Sequence, residues 1–191
     1  MAKTAGVNKR RAGKKRSSPF KENGLIDFVV ETPKGKRNKF KFDEKLGKFR
    51  LCKVLPAGAS FPYDFGFVPG TRGDDGDPLD VLILMDESAF PGCIVEGQLI
   101  GVIEAEQEDD GELVRNDRLV AVASDAHDYG NIKTLSDINE QLLKELEHFF
   151  KSCSEAQGKT FNLLANRGPK SAKRLVKNSI VSVRKVARHP K

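Results

Sequence analysis

From residue 25 onward, apolar and polar residues alternate in short runs separated by turn-forming residues. Residues 25–31, 39–43 and 49–55 read as strands, divided by Pro33-Lys34-Gly35 and by Leu46-Gly47-Lys48. Residues 81–85, Val-Leu-Ile-Leu-Met, form a continuous apolar run of strand length, the pattern of a strand buried on both faces. Further strands are predicted at 94–104 and 118–123. The period then lengthens. Ile138, Leu142, Leu146, Phe149 and Cys153 recur at helical spacing, with Ser136 as the expected N-cap. In a second helix, Pro169 occupies the first turn, and Ala172, Leu175, Val176, Ser179, Ile180 and Val183 share one face. Many short strands followed by late helices predict an α+β fold with a barrel or tightly curled sheet.

Charge divides the chain differently. Residues 1–21 carry eight Lys and Arg and no acid, and residues 167–191 carry nine and no acid. Of the 33 basic and 27 acidic residues, 16 and 27 remain in the middle, a net of −11. The expected organisation is therefore a disordered basic tail over 1–21, one folded domain over 22–166, and a basic C-terminal helix and tail over 167–191. No apolar run approaches the ~20 residues that span a bilayer, and no apolar stretch follows the basic N-terminus, so a cytoplasmic protein without membrane contact is expected. Cys52, Cys93 and Cys153 are odd in number and lack CxxC spacing, which argues for thiols in a reducing compartment.

The densest chemistry is Asp74-Asp75-Gly76-Asp77-Pro78-Leu79-Asp80, immediately before the apolar strand. Proline keeps Asp77 out of the helical region, so the piece is extended and turning, with Asp75 and Asp77 pointing to the same side. Carboxylates this close repel one another without a cation, and an all-carboxylate ligand set favours Mg²⁺, Ca²⁺ or Mn²⁺. A solvated acidic turn and a structural calcium site are competing readings. An EF-hand loop fails, because Asp80 stands where its glycine is required. A second acidic patch runs from Glu104 through Glu106, Glu108, Asp109, Asp110 and Glu112 to Asp117. Lys39, Lys41, Lys53 and Arg118 fall on or beside predicted strands. Hard cations together with Lys and Arg suit a multiply charged phosphate substrate.

The run DGDPLDVLIL at 75–84 resembles the DxDPxD hallmark of the soluble family I inorganic pyrophosphatases. FPYDFGFVPGT at 61–71, VVETPKGKRNKFKFD at 29–43, PGCIVEGQLIGVIE at 91–104 and RNDRLVAV at 115–122 extend the similarity over roughly residues 25–165. The resemblance implies a small closed five-stranded OB-like β-barrel with flanking helices, a site holding several Mg²⁺ ions, and pyrophosphate as substrate. It implies Asp75, Asp80 and a later aspartate as metal ligands, Asp77 as the group that orients or deprotonates the attacking water, and Glu31 as a more distant metal contact. Lys39, Lys53 and Arg118 are then the phosphate contacts. The family's spacing places a late aspartate at Asn116. Asp117 serves only if the loop shifts by one, and the other late ligand is Asp109 or Asp110. Several positions depart from the family pattern. Lys53 stands for arginine, Lys41 for an acid, Phe61 and Phe65 for tyrosines, and Cys153-Ser154 for a Tyr-Lys pair.

His127, His148 and His189 show no metal-ligand spacing, and the aromatic run at 61–67 reads as core and site wall. An OB-like nucleic-acid-binding module and a catalytically weakened pyrophosphatase relative are the alternative functions. The acidic middle opposes the first, while the basic tails suit contact with nucleic acid or acidic surfaces. A homo-oligomer is expected.

Overall fold

The computed structural model describes residues 18–43, 45–109, 111–156 and 158–181, with the side chain of Asp109 excepted. Most of the N-terminal tail, Val183 and the last residues lie outside this range. The elements are β1 (Ile26–Thr32), β2 (Asn38–Asp43), β3 (Lys48–Val54), β4 (Asp64–Phe67), β5 (Asp80–Leu84), β6 (Ile94–Asp109), β7 (Glu112–Arg115), β8 (Arg118–Ala123), α1 (Glu140–Glu155), β9 (Phe161–Arg167) and α2 (Pro169–Asn178).

Five strands close into a ring. β1 pairs with β4 and β4 with β5, both antiparallel; β5 runs parallel to β8; β8 pairs antiparallel with β6, whose first residues return to β1 through Asp27 opposite Glu96. Two helices flank this ring, so the architecture is α+β and OB-like, as expected. β5 shows why closure suits the sequence. Its apolar run alternates between two cores: Leu82 and Leu84 pack in the one that α1 completes with Leu146 and Phe150, and Val81 and Ile83 in the one that α2 completes with Ala172 and Val176. All six residues of β8 are buried as well. The far half of β6 carries β7 on one edge and β9 on the other.

β2 and β3 form a separate hairpin, held to the end of β1 by two side chains. The Phe40 N–H donates to Thr32 Oγ1 at 3.2 Å and the Phe42 N–H to Glu31 Oε1 at 2.7 Å. The Phe42 ring lies 6.4 Å from that of Phe67, which fixes the hairpin over the ring of strands.

One helix start differs from the sequence reading. Asn139, not Ser136, caps α1, its side chain accepting the Gln141 N–H at 2.8 Å. Ser136 lies inside a short 3-10 turn, Leu135–Asp137, which has its own capping box from Thr134 and Asp137. Pro169 opens α2 as expected, while Ser179 is already its C-cap and Ile180 bridges to Thr71. Among the described residues, no helix is long and apolar enough to cross a membrane.

Candidate active site

The carboxylate loop is a tight turn written by its own residues. The Gly73 N–H donates to the Asp77 carbonyl at 2.7 Å, and Gly76 adopts φ +84°, where a side chain would be strained. The Asp77 N–H donates to Asp75 Oδ1 at 3.1 Å, an Asx turn that orients Asp75. Asp80 then opens β5, so this last carboxylate stands on a strand anchored in both cores.

Protein cations face the loop. Lys41 Nζ, on β2, lies 2.6 Å from Asp77 Oδ2, and Arg118, opening β8, reaches Asp80 Oδ2 at 2.9 Å. Parallel pairing of β5 with β8 dictates the second contact, because both strands start at the same level. Arg118 also donates to Asn116 Oδ1 and to the Asp117 carbonyl, and its guanidinium lies 5.5 Å from the Phe150 ring centre. Its Nε is buried with no hydrogen-bond partner among the described residues.

Glu31 is 6% exposed at the end of β1. Burial pushes its carboxyl up to about 7 against the opposing Phe42 N–H bond; Asp80 adds to the rise, and Lys39 and Lys41 oppose it. Asp75 is raised as well, first by burial and then by its neighbours Asp80 and Asp77, with the Asp77 N–H opposing. Lys39 sits directly opposite Lys53 in the β2–β3 register, and its Nζ lies 5.2 Å from the Phe65 ring centre. Burial, followed by the charge of Lys39, pulls Lys53 below the usual lysine range. Lys39 and Lys53 also act on Cys153, whose half-buried thiol is pushed up by burial. Cys153 packs against the α1 core, and Ser154 is buried.

The late acidic segment is arranged differently. Asn116 Nδ2 donates to Gln107 Oε1 at 2.7 Å, forming a neutral amide pair. The Asp117 carboxylate accepts the Ala105 N–H at 3.0 Å and pairs with Arg115 at 2.9 Å. Asp75, Asp80, Arg115, Asn116 and Asp117 line one small cleft. Asp109 ends β6 opposite Glu112 at the hairpin tip; its side chain and all of Asp110 lie outside the described residues.

The structure thus gathers Asp75, Asp77, Asp80, Asp117, Glu31 and Arg118 about the loop, while Lys39 stands opposite Lys53 on the hairpin and acts on the Glu31 carboxyl. The sequence reading did not anticipate the Lys41–Asp77 pair, the Gln107–Asn116 pair or the role of Arg115. Position 41 did stand out as a cation where the resemblance leads to an acid, but nothing marked Gln107. His148 is exposed on α1, within 3.4 Å of Ser152 Oγ.

In donor chemistry the site fits a hard divalent cation, because its carboxylates crowd one another and soft ligands are absent from the loop. Among the described residues, no three His, Cys, Asp or Glu are already gathered to hold a metal ion. Asp77, Asp80 and Asp117 each have a protein cation as partner.

A ring of five strands that sets clustered carboxylates against Lys41, Arg115 and Arg118 carries the groups that phosphate chemistry with divalent cations uses. The chain belongs to the inorganic pyrophosphatase family, whose model matches residues 28–184 and so extends through α2. It is 37% identical over 157 residues to an inorganic pyrophosphatase of a Nostoc species, across 82% of this chain and 90% of that protein. Among solved structures it resembles an inorganic pyrophosphatase from Neisseria gonorrhoeae, with TM-score 0.77 and 34% identity over 87% of this chain and 96% of that one. The Thermus thermophilus inorganic pyrophosphatase superposes with TM-score 0.78 at 29% identity, over 88% and 97%. This family is metal-dependent. The comparisons support the hydrolase reading and lend nothing to the nucleic-acid-binding one.

Proposed function

We infer that this chain hydrolyses inorganic pyrophosphate to two orthophosphates, using Mg²⁺ held by Asp75 and Asp80. The observation that carries the reading is the Asp75–Asp80 loop faced by Lys41 and Arg118, with Lys39 and Lys53 paired on the adjoining hairpin, in a chain of this family. Mg²⁺ bound there supplies charge neutralisation on the phosphate oxygens and makes a water nucleophilic near neutral pH. Asp77 orients the attacking water and takes its proton. A bond forms from that water to one phosphorus, the bridging P–O bond breaks, and the departing phosphate carries off the electron pair. Lys39, Lys53 and Arg118 hold the negative charge that accumulates on the phosphate oxygens. Glu31, Asp109, Asp110 and Asp117 are the remaining candidate metal contacts. Of these, Asp117 is committed to Arg115 and the Ala105 N–H.

We place the enzyme in the cytoplasm as a homo-oligomer. Its three cysteines outside any disulfide are consistent with a reducing compartment. The basic tails are read as contacts for nucleic acid or acidic surfaces, an activity accessory to hydrolysis.

Asp77→Asn tests the catalytic assignment. Its kcat is expected to fall by about 10²–10⁴-fold while the melting temperature stays near that of the parent. A variant that keeps more than half of the parent turnover contradicts the role.

A further inference from the structure

The carboxylates of the loop are not bare. Lys41 Nζ sits 2.6 Å from Asp77 Oδ2 and Arg118 Nη1 2.9 Å from Asp80 Oδ2, so two of the three acids at 75–80 already have a unit positive charge at contact distance. Across the cleft, Asn116 and Gln107 bond to each other as neutral amides, and Arg115 holds Asp117. Three internal cations therefore face the acids that line this site, which is the charge compensation a divalent ion would otherwise provide.

The two ion pairs on the loop differ in kind. Arg118 is 10% exposed, stacked near Phe150 and hydrogen-bonded to Asn116 and the Asp117 carbonyl, so its position is fixed. Lys41 is 48% exposed and Asp77 50%, and the Nζ of Lys41 has no other hydrogen-bond contact among the described residues. A lysine on a flexible stem at a half-exposed pair exchanges its partner readily.

We propose that Lys41 is a resident counter-ion of Asp77, a positioning residue whose charge opposes divalent metal at the neighbouring Asp75 and Asp80. The site then binds divalent ions more weakly and in smaller number than its carboxylates alone allow, and Asp77 is released only when Lys41 swings away. A unit charge a few Å from a divalent ion, at the screening of a protein surface, changes its affinity by about tenfold or more. This inference rests on the metal-dependent reading of the loop, and its test separates the two.

Mn²⁺ binding to the full chain, followed by electron paramagnetic resonance and by Mg²⁺ calorimetry without substrate, is compared in the parent, Lys41→Met, Lys41→Gln and Lys144→Met. Lys144 pairs with Glu140 on α1 and controls for the loss of one positive charge elsewhere. Both Lys41 variants are expected to bind metal about tenfold more tightly, or to take up an additional ion, with Lys144→Met unchanged. Metal affinity and stoichiometry within twofold of the parent in both folded Lys41 variants would overturn the proposal, as would an equal gain in Lys144→Met. Phosphate release from pyrophosphate by the parent is measured alongside. Absence of hydrolysis together with tighter metal binding in the Lys41 variants refutes the functional reading and leaves the role of Lys41 standing. Hydrolysis together with unchanged metal binding does the reverse.

Discussion

Glu31 shows how one buried residue couples this site to the stability of the fold. Its carboxyl is raised from about 4.5 to about 7, chiefly by burial. The proton is thus held more tightly in the folded state than in the unfolded one. As pH climbs from about 4.5 to 7, the unfolded chain loses that proton first, so Glu31 lowers stability over this window, and the cost persists above it. A shift of this size corresponds to roughly 3 kcal/mol in the absence of metal. Glu31→Gln keeps an acceptor for the Phe42 N–H and removes the titration. Melting curves in chelator are expected to show the parent losing stability from pH 5 to 7.5 relative to this variant. Parallel curves for the two proteins would contradict the assignment. The loop at 74–80 was readable from the sequence because Asp, Gly and Pro each carry a local backbone rule. Lys41 and Gln107 were not, since their partners are 36 and 9 residues away and only the assembled sheet brings them together.

Among the elements, β4 is short and contains Gly66, and it joins β1 to β5. A Cβ at Gly66 would lie 2.1 Å from the Val29 carbonyl oxygen, a backbone atom that cannot move without disturbing the β1–β4 pairing. Gly66→Ala is therefore expected to cost about 1–3 kcal/mol, read as a lower melting temperature. Gly168→Ala, where the added atom meets nothing within 4 Å, serves as the control. Equal melting temperatures for the two variants would contradict the close packing. The sequence pattern located the strands at 118–123 and 81–85 well, because long apolar runs have a single solution. It passed over β4, whose glycine and brevity resemble a loop, and β9, where Leu163 and Leu164 are both exposed and no alternation signals a strand. Ser136 misled for a related reason: the 3-10 turn that precedes α1 has its own cap, and Asn139 performs the same chemistry three residues later.

Across the whole molecule, ring closure brings the loop before β5, the start of β8 and the β2–β3 hairpin to one place. The parallel β5–β8 pair is the hinge of the design: it sets Asp80 beside Arg118 although 38 residues separate them in sequence. The acidic middle of the chain, net −11 over residues 22–166, is concentrated in part at this site and compensated there by Lys41, Arg115 and Arg118. The sequence showed the charge asymmetry but not this internal pairing, which depends on the three-dimensional arrangement. Hydrolysis of pyrophosphate by this arrangement with a divalent metal is tested by phosphate release. The purified full chain is incubated with pyrophosphate in millimolar Mg²⁺ and, separately, in excess chelator. Two orthophosphates per pyrophosphate, released catalytically with Mg²⁺ and at background rate in chelator, are the expected outcome. No release with Mg²⁺, or release indifferent to the chelator, would contradict it.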